Sequence, residues 1–224
     1  RNFKQKIGWE YFDDICKIPR PSKKEEKIIA FILEFGTKHH LETLQDEIGN
    51  ILIRKKATPG YEGRPSVVLQ SHLDMVCEKN SDVDFDFDND AIIPIVDGEW
   101  VKAKGTTLGA DDGIGVAAQL AILASEEIEH GPIECLFTVD EETGLTGAFG
   151  LKPGFVKSEI LLNLDSEDEG ELYIGCAGGI DTLIEMEYET EEVKGDLAFY
   201  EIIVNGLRGG HSGDDIQKGY GNAV

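Results

Sequence analysis

The stretch PSVVLQSHLDMV (residues 65–76) joins a short apolar run to a polar turn that follows it directly. The run SVVLQ is β-branched and apolar, as is typical of a buried parallel strand. Acidic turns follow apolar segments in the same way at LGADDG (108–113), VDEETG (139–144) and NLDSE (163–167). In α/β sheets the ligand site lies beyond the carboxyl ends of the strands, so we expect these four turns to converge at one edge.

The segments around these turns alternate between strand and helix patterns. Residues 6–18 predict a helix closed by Pro19-Arg20-Pro21, and a capping box at 22–25 predicts the start of a second helix. Residues 41–54 predict a hairpin, and residues 133–139 and 160–164 predict further strands. The small apolar stretch GIGVAAQLAILAS (113–125) predicts a buried helix. This alternation indicates an α/β layered domain.

The pattern changes near residue 180. Residues 182–190 and 198–204 alternate apolar and polar side chains, as half-exposed antiparallel strands do. We therefore predict two domains: a catalytic-type domain over residues 1–179, and the start of a second α+β domain over residues 180–224.

Composition narrows the function classes. An apolar content of 41% is enough for a sizeable core. The formal net charge of -23 argues against nucleic acid or an anionic membrane as a partner. The four cysteines are widely spaced, which favours reduced thiols over a disulfide framework. Without a signal peptide or a long apolar run, a cytoplasmic location is expected.

His72 and Asp74 are separated by one residue, so on an extended segment both side chains point to the same face. This spacing allows His72 to bind a metal ion while Asp74 orients the imidazole or a neighbouring ligand from behind. The alternative is a surface pair without function. Taken alone, the motif SHLD favours the alternative.

Paired carboxylates occur in two of the other turns. Asp111 and Asp112 lie in a Gly-flanked turn before a helix, where one of them could simply cap the helix N-terminus. Of Glu141 and Glu142, one could bind metal while the other acts as general base, or both could belong to a solvated acidic turn. Asp165 ends the apolar run 160–164. One His with several carboxylates suits zinc, manganese or cobalt, and a carboxylate bridging two ions recurs in aminopeptidases.

Taken together, these residues resemble a known family. The motifs are SHLDMV (71–76), KGTTLGADDGIG (104–115), TVDEETGLTGAFGL (138–151), LLNLDSEDEGELYIGCAGG (161–179) and LRGGHSG (207–213). They are similar to the aminoacyl-histidine dipeptidase branch of the aminoacylase and carboxypeptidase G metallopeptidase clan. The similarity implies a cytosolic, zinc-dependent dipeptidase with an α/β zinc-exopeptidase-like three-layer domain and an inserted lid domain that dimerises.

The resemblance also implies roles for individual residues. His72 and Asp165 would bind one metal ion, Asp111 would bridge two ions, and Glu142 would bind the other. Glu141 would be the general base and Asp74 would buttress the site. His211, in the Gly-rich segment of the lid, would contact the substrate.

One feature of the family is missing from this sequence. Family members take their last metal ligand from a His far downstream, and nothing here supplies it. We therefore expect the chain to be a fragment with poor activity alone. The leading hypothesis is a dinuclear dipeptidase of Xaa-His or broader specificity. A tripeptidase or N-acyl-amino-acid amidohydrolase of the same clan, or a catalytically silent scaffold, are the alternatives.

Overall fold

The computed structural model describes residues 6–166, 170–176, 178, 182–193, 195–196, 198–209 and 218–220. Within these residues the helices are α1 (Lys6–Cys16), α2 (Glu26–Lys38), α3 (Ala110–Ala124) and α4 (Thr146–Gly150). The strands are β1 (Glu42–Gln45), β2 (Ile51–Lys55), β3 (Val67–His72), β4 (Ile95–Asp97), β5 (Trp100–Lys102), β6 (Ile133–Thr138) and β7 (Ile160–Asn163).

The central sheet is mixed and has the strand order β1-β2-β6-β3-β7. The hairpin β1–β2 is antiparallel and β2 pairs antiparallel with β6, whereas β6, β3 and β7 run parallel. The hairpin, the strands and the buried helix that were predicted before residue 180 are therefore all present, and the α/β class is confirmed. Strands β4 and β5 form a separate small hairpin.

Helices cover one face of the sheet. Side chains along β2 alternate between the two faces of the sheet. Ile51 and Ile53 pack into the core on the helix side, whereas Leu52 faces the opposite side. On the helix side lie α1, α2 and α3, which contribute Phe12, Ile32 and Leu120, among others. On the opposite side, the segment after α4 packs over Leu52. Of the parallel strands, β3 and β6 are thus largely buried, whereas β7 at the edge of the sheet is exposed.

The predicted capping box is wrong in detail. Helix α2 begins at Glu26, and no side chain caps it at Glu25. The Ser22 hydroxyl donates instead to Asp74 (2.7 Å), and Glu25 accepts the Asp140 N–H (2.9 Å). Both polar side chains are therefore used by tertiary contacts, which outweigh the local capping preference.

Contacts divide the chain into two units, Arg1–Leu172 and Tyr173–Val224. The strands predicted in the second unit are not formed in the described residues 182–193 and 198–209. Strands need a hydrogen-bonding partner and a covered apolar face, and side chains such as Leu183, Met186 and Ile202 are exposed here. The predicted boundary at residue 180 and the lid assignment stay predictions.

No helix in the described part of the chain is both long and apolar enough to span a bilayer.

Candidate metal centre

The four predicted turns lie in the first unit, and three of them follow neighbouring parallel strands. His72 ends β3, Glu141 and Glu142 follow β6, and Asp165 follows β7. The fourth turn carries Asp111 into α3. The Nε2 atom of His72 lies 2.9 Å from Asp111 Oδ1 and 3.9 Å from Asp165 Oδ2. The structure therefore brings turns that are distant in sequence to one edge of the sheet.

His72 is buried, with 1% of its side chain exposed, and its two ring nitrogens face different partners. Nδ1 lies 3.1 Å from the Asp74 carbonyl oxygen and 3.3 Å from Asp74 Oδ1, whereas Nε2 faces Asp111 and Asp165. Burial disfavours the imidazolium, but hydrogen bonds to Asp111 and Asp74 overcome this and raise the pKa of His72 to about 11. The Nε2 side of the ring therefore faces the carboxylates of Asp111 and Asp165.

Asp74 connects two of the turns. Its Oδ1 and Oδ2 accept the backbone N–H groups of Glu141 (3.0 Å) and Glu142 (3.1 Å), and Oδ2 also accepts the Ser22 hydroxyl. Burial opposes ionisation of Asp74, but the hydrogen bonds from His72, Glu141 and Ser22 outweigh it and lower the pKa to about 2. An ionised, saturated carboxylate is better suited to holding the turns together than to binding substrate.

Asp111 and Asp112 have different environments, although they are adjacent. The peptide bond between them is cis. The Asp112 side chain is buried and accepts the N–H groups of Gly115 (3.1 Å) and His72 (3.3 Å). The Asp111 side chain is 46% exposed and reaches His72 Nε2. Asp112 therefore takes the capping role foreseen for one of the pair, which leaves Asp111 as the carboxylate that faces the open edge.

The loop after β6 is held by buried polar groups. Asp140 has a positive φ of 51° and accepts the hydroxyls of Thr143 and Thr146. Asn50 accepts the Val139 N–H (3.1 Å) and donates to the Gly147 carbonyl (2.9 Å). These contacts fix both ends of the loop, so Glu141 and Glu142 are placed by backbone geometry.

Three carboxyls of the cluster, those of Asp165, Glu142 and Asp112, have raised pKa values. Burial and the charge of Asp111 raise the pKa of Asp165, and the same two causes raise that of Glu142. Burial and the charge of Asp165 likewise raise the pKa of Asp112 to about 7, against an opposing contribution from His72. These raised pKa values reflect burial first and the crowding of like charges second, and a bound cation would favour the ionised carboxylates.

Two groups of ligand atoms in this region lie within 4.8 Å of one another: His72 with Glu141 and Glu142, and His72 with Asp112 and Asp165. Imidazole with carboxylates is the donor set of zinc and manganese sites, so these residues fit a divalent ion. A third group, Glu25 with Asp74 and Asp140, is buried beneath them. Its carboxylates accept backbone N–H and hydroxyl groups, so we assign it to support of the loops.

A cavity of about 340 Å³ opens beside this cluster. It is lined by Asp111, Asp112 and Asp165 together with the apolar side chains of Ile114 and Leu164. The cavity is large enough for a small organic ligand. A larger apolar groove between α1 and α3 has none of the predicted site residues in its lining, so we place the chemistry at the smaller cavity.

His211, the predicted substrate-binding residue, lies outside the described residues. Among the described residues, sequence reasoning missed the polar side chains behind the cluster, which are the half-buried Ser22 and the buried Arg20, Glu25, Asn50 and Asp140. A polar residue next to a proline or inside a capping pattern has an ordinary local explanation, which hides a tertiary role. The loop residue Asp140 had one signal, its position directly after an apolar strand.

We expect the metal-free protein to lose stability as the pH rises from 3.8 towards 7. The pKa of Asp112 is about 7 in the folded protein, against an ordinary value of 3.8 for aspartate, so its contribution to stability is complete below pH 3.8 and lost as the pH passes 7. His72 loses its contribution only between pH 6.5 and about 11, and Asp74 keeps its contribution above pH 3.8. Neither group therefore cancels this trend.

The measurement is the Tm of chelator-treated protein at about pH 4.5 and about pH 6.5. Asp112→Asn should flatten the fall in Tm, whereas Asp84→Asn on the exposed acidic loop should leave it unchanged. An unaltered fall in Asp112→Asn would contradict the assignment.

Comparison with known proteins places these residues in context. No protein-family model matches the chain. The chain is 51% identical over 215 residues to the cytosol non-specific dipeptidase of Escherichia coli, a match that covers 96% of this chain and 44% of that protein. This chain thus spans less than half the length of that relative.

Solved structures agree with the sequence comparison. The crystal structure of aminoacylhistidine dipeptidase from Vibrio alginolyticus matches with a TM-score of 0.77 and 56% identity, covering 78% of this chain and 36% of that chain. A tripeptidase from Staphylococcus aureus matches with a TM-score of 0.62 and 25% identity, covering 74% of this chain and 44% of that chain. The predicted exopeptidase-like α/β fold is therefore confirmed.

Proposed function

Because this chain belongs to the aminoacyl-histidine dipeptidase family of metallopeptidases, we propose that the protein hydrolyses dipeptides with the help of two divalent metal ions. The observation that carries the proposal is the orientation of His72. Its buried ring directs Nε2 towards Asp111 and Asp165, while Asp74 holds Nδ1. A histidine that binds metal through one ring nitrogen usually donates the N–H of its other ring nitrogen to a carboxylate or a backbone carbonyl.

The predicted ligands divide between two positions. His72 and Asp165 would hold one ion, Glu142 would hold the other, and Asp111 would lie between the two ions. The Asp111 carboxylate is partly exposed and faces the imidazole of His72, whereas the oxygens of Asp112 accept two backbone N–H groups. Zinc fits this donor set best, and manganese or cobalt are alternatives.

When bound, the two metal ions would lower the pKa of the attacking water and polarise the peptide carbonyl. Glu141 would take the proton from that water and deliver it to the leaving amine. Its position relative to Glu142 is fixed because Asp74 accepts both backbone N–H groups. A base and a metal ligand held on one rigid loop need little reorganisation during the reaction.

The remaining features of the proposal concern the whole protein. The E. coli relative is named a cytosol dipeptidase, which supports a cytoplasmic location for this protein. Small peptides are the proposed substrates, with Xaa-His dipeptides among them. Residues 180–224 are proposed to begin a lid domain, where His211 would contact the substrate, and we propose that the lid forms a homodimer.

Metal analysis and a peptidase assay together test this function. The protein, expressed from its complete reading frame, is reconstituted with zinc, manganese or cobalt and assayed on dipeptides, tripeptides and N-acyl amino acids. We expect about two ions per chain and hydrolysis of dipeptides, including Xaa-His.

Preference for tripeptides or N-acyl amino acids would move the protein to a related hydrolase class. A folded protein that binds ions but hydrolyses none of these substrates would support the silent scaffold. A folded protein that binds none of the three ions would overturn the proposal.

A further inference from the structure

Arg20 is a buried cation on the short segment between α1 and α2, with an exposed fraction of only 2%. Its Nη1 donates to the carbonyl oxygens of Leu73 (2.9 Å) and Asp74 (2.6 Å), and its Nη2 donates to the carbonyl of Gly109. Burying a charged group is costly unless it is well hydrogen-bonded. Three backbone acceptors meet that requirement here.

The three acceptors belong to the two turns that carry the candidate metal ligands. Leu73 lies between His72 and Asp74, and the Asp74 carbonyl also accepts from His72 Nδ1. Gly109 precedes Asp111 by two residues. One guanidinium therefore fixes the backbone beside the imidazole and the backbone beside the bridging carboxylate. A movement of either turn would break at least one of its hydrogen bonds.

Packing around the guanidinium leaves it little freedom. A Cβ at Gly109 or Gly113 would come within 2.6 or 2.8 Å of Arg20 Nη2, which is closer than real contacts allow. Beside it, Pro21 forms a parallel bridge with Met75. The absence of side chains at the two glycines thus creates the space that the guanidinium fills.

The charge of Arg20 lies close to the carboxylates without pairing with any of them. None of the ion pairs formed among the described residues includes Arg20. Asp74 and Asp112 nevertheless attract it electrostatically. The charge therefore opposes the repulsion among the acidic groups without forming an ion pair with any of them. The planar fork of arginine can span two turns in this way, whereas the ammonium of lysine cannot.

We propose that Arg20 is a positioning residue for the metal centre: it holds the turn of His72 and the turn of Asp111 at the separation that the ions require. This inference rests on the proposed function, because it assumes that the cluster binds metal. Arg20 acts through these two turns and touches neither ion nor substrate.

The test compares Arg20→Lys and Arg20→Met with the wild-type protein, each expressed from its complete reading frame. Zinc affinity is measured by calorimetry, and cobalt(II) absorption reports the coordination geometry. We expect zinc affinity to fall about 10-fold in Arg20→Lys and about 100-fold in Arg20→Met, as when a group supporting a metal ligand is lost. The cobalt spectrum should change in both variants.

Gly113→Ala provides a second test in case the arginine variants do not fold. Alanine favours the helix, but its Cβ would displace the guanidinium without removing its positive charge. We expect several-fold weaker zinc binding. The matched control is Gly8→Ala in α1, where a Cβ meets nothing within 4 Å, and its zinc affinity should equal that of the wild type.

The outcomes separate the two proposals. If the wild-type protein binds no metal, the proposed function fails. If the wild type binds metal and a folded Arg20→Lys or Gly113→Ala variant has wild-type zinc affinity and an unchanged cobalt spectrum, the positioning role alone is overturned. A lower Tm with unaltered metal binding would show that Arg20 serves stability only, and would likewise overturn it.

Discussion

Asp111→Asn is expected to remove the metal pair and reduce dipeptide hydrolysis to the level of chelator-treated protein. Asparagine has nearly the same shape, but its amide group is neutral and offers one oxygen where a bridging carboxylate offers two. Since Asp111 is the partly exposed carboxylate that reaches His72 Nε2, its loss affects both proposed positions. Metal content per chain, measured by elemental analysis, should fall from about two to below one.

Asp112→Asn is the matched control for this substitution, because the two residues are adjacent and only Asp111 is proposed to bridge. The Asp112 carboxylate accepts the N–H groups of His72 and Gly115, and an amide oxygen can still accept one of them. We expect this variant to keep more metal than Asp111→Asn. The reverse order would transfer the bridging role to Asp112.

Glu141→Gln is expected to lower kcat by about 10²–10⁴-fold while the metal content stays unchanged. Glutamine cannot take up the proton of the attacking water, but it keeps the size of the side chain. The backbone N–H of residue 141 can still donate to Asp74, so the loop should keep its position. Steady-state kinetics and elemental analysis on the same preparation provide both measurements.

Glu142→Gln separates a base from a ligand on the same loop. Both backbone N–H groups donate to Asp74, so the two variants disturb the loop to a similar degree. We expect Glu142→Gln to lose metal, with activity partly restored at high metal concentration. If Glu141→Gln loses metal and Glu142→Gln does not, the two roles must be exchanged.

The fold of the first unit could be predicted well from the sequence, since short apolar runs such as Ile133–Thr138 have the length typical of strands buried within a sheet. Parallel strands place their carboxyl ends together, and so the convergence of His72 and Asp165 also followed from the pattern. The strands predicted at residues 182–190 and 198–204 are not formed. Alternation indicates which side chains a strand would bury, but it cannot supply the partner that the strand needs.

The detailed roles within the cluster were harder to predict. Adjacent residues such as Asp111 and Asp112 look equivalent in sequence, and only the backbone path shows which of them is buried. The supporting residues were also hidden. Arg20 lies between two prolines, which already explain why the first helix ends there. Its three acceptors are some 53 to 89 residues away along the chain. Contacts between residues so far apart in the sequence leave no pattern in the residues around either partner.

The parallel register of β3, β6 and β7 also bears on how the protein is made. Val67 aligns with Ile133 on one side and with Ile160 on the other, so the sheet edge is complete only after β7 has been synthesised. Pairing at such separations is slow because the entropy cost of closing the loops comes before the contacts form. On the ribosome, His72 therefore emerges long before Asp165, and the cluster is assembled only after the sheet has formed. Under the proposed function, metal loading would then be a late step in biosynthesis, one that depends on the ions available to a folded protein.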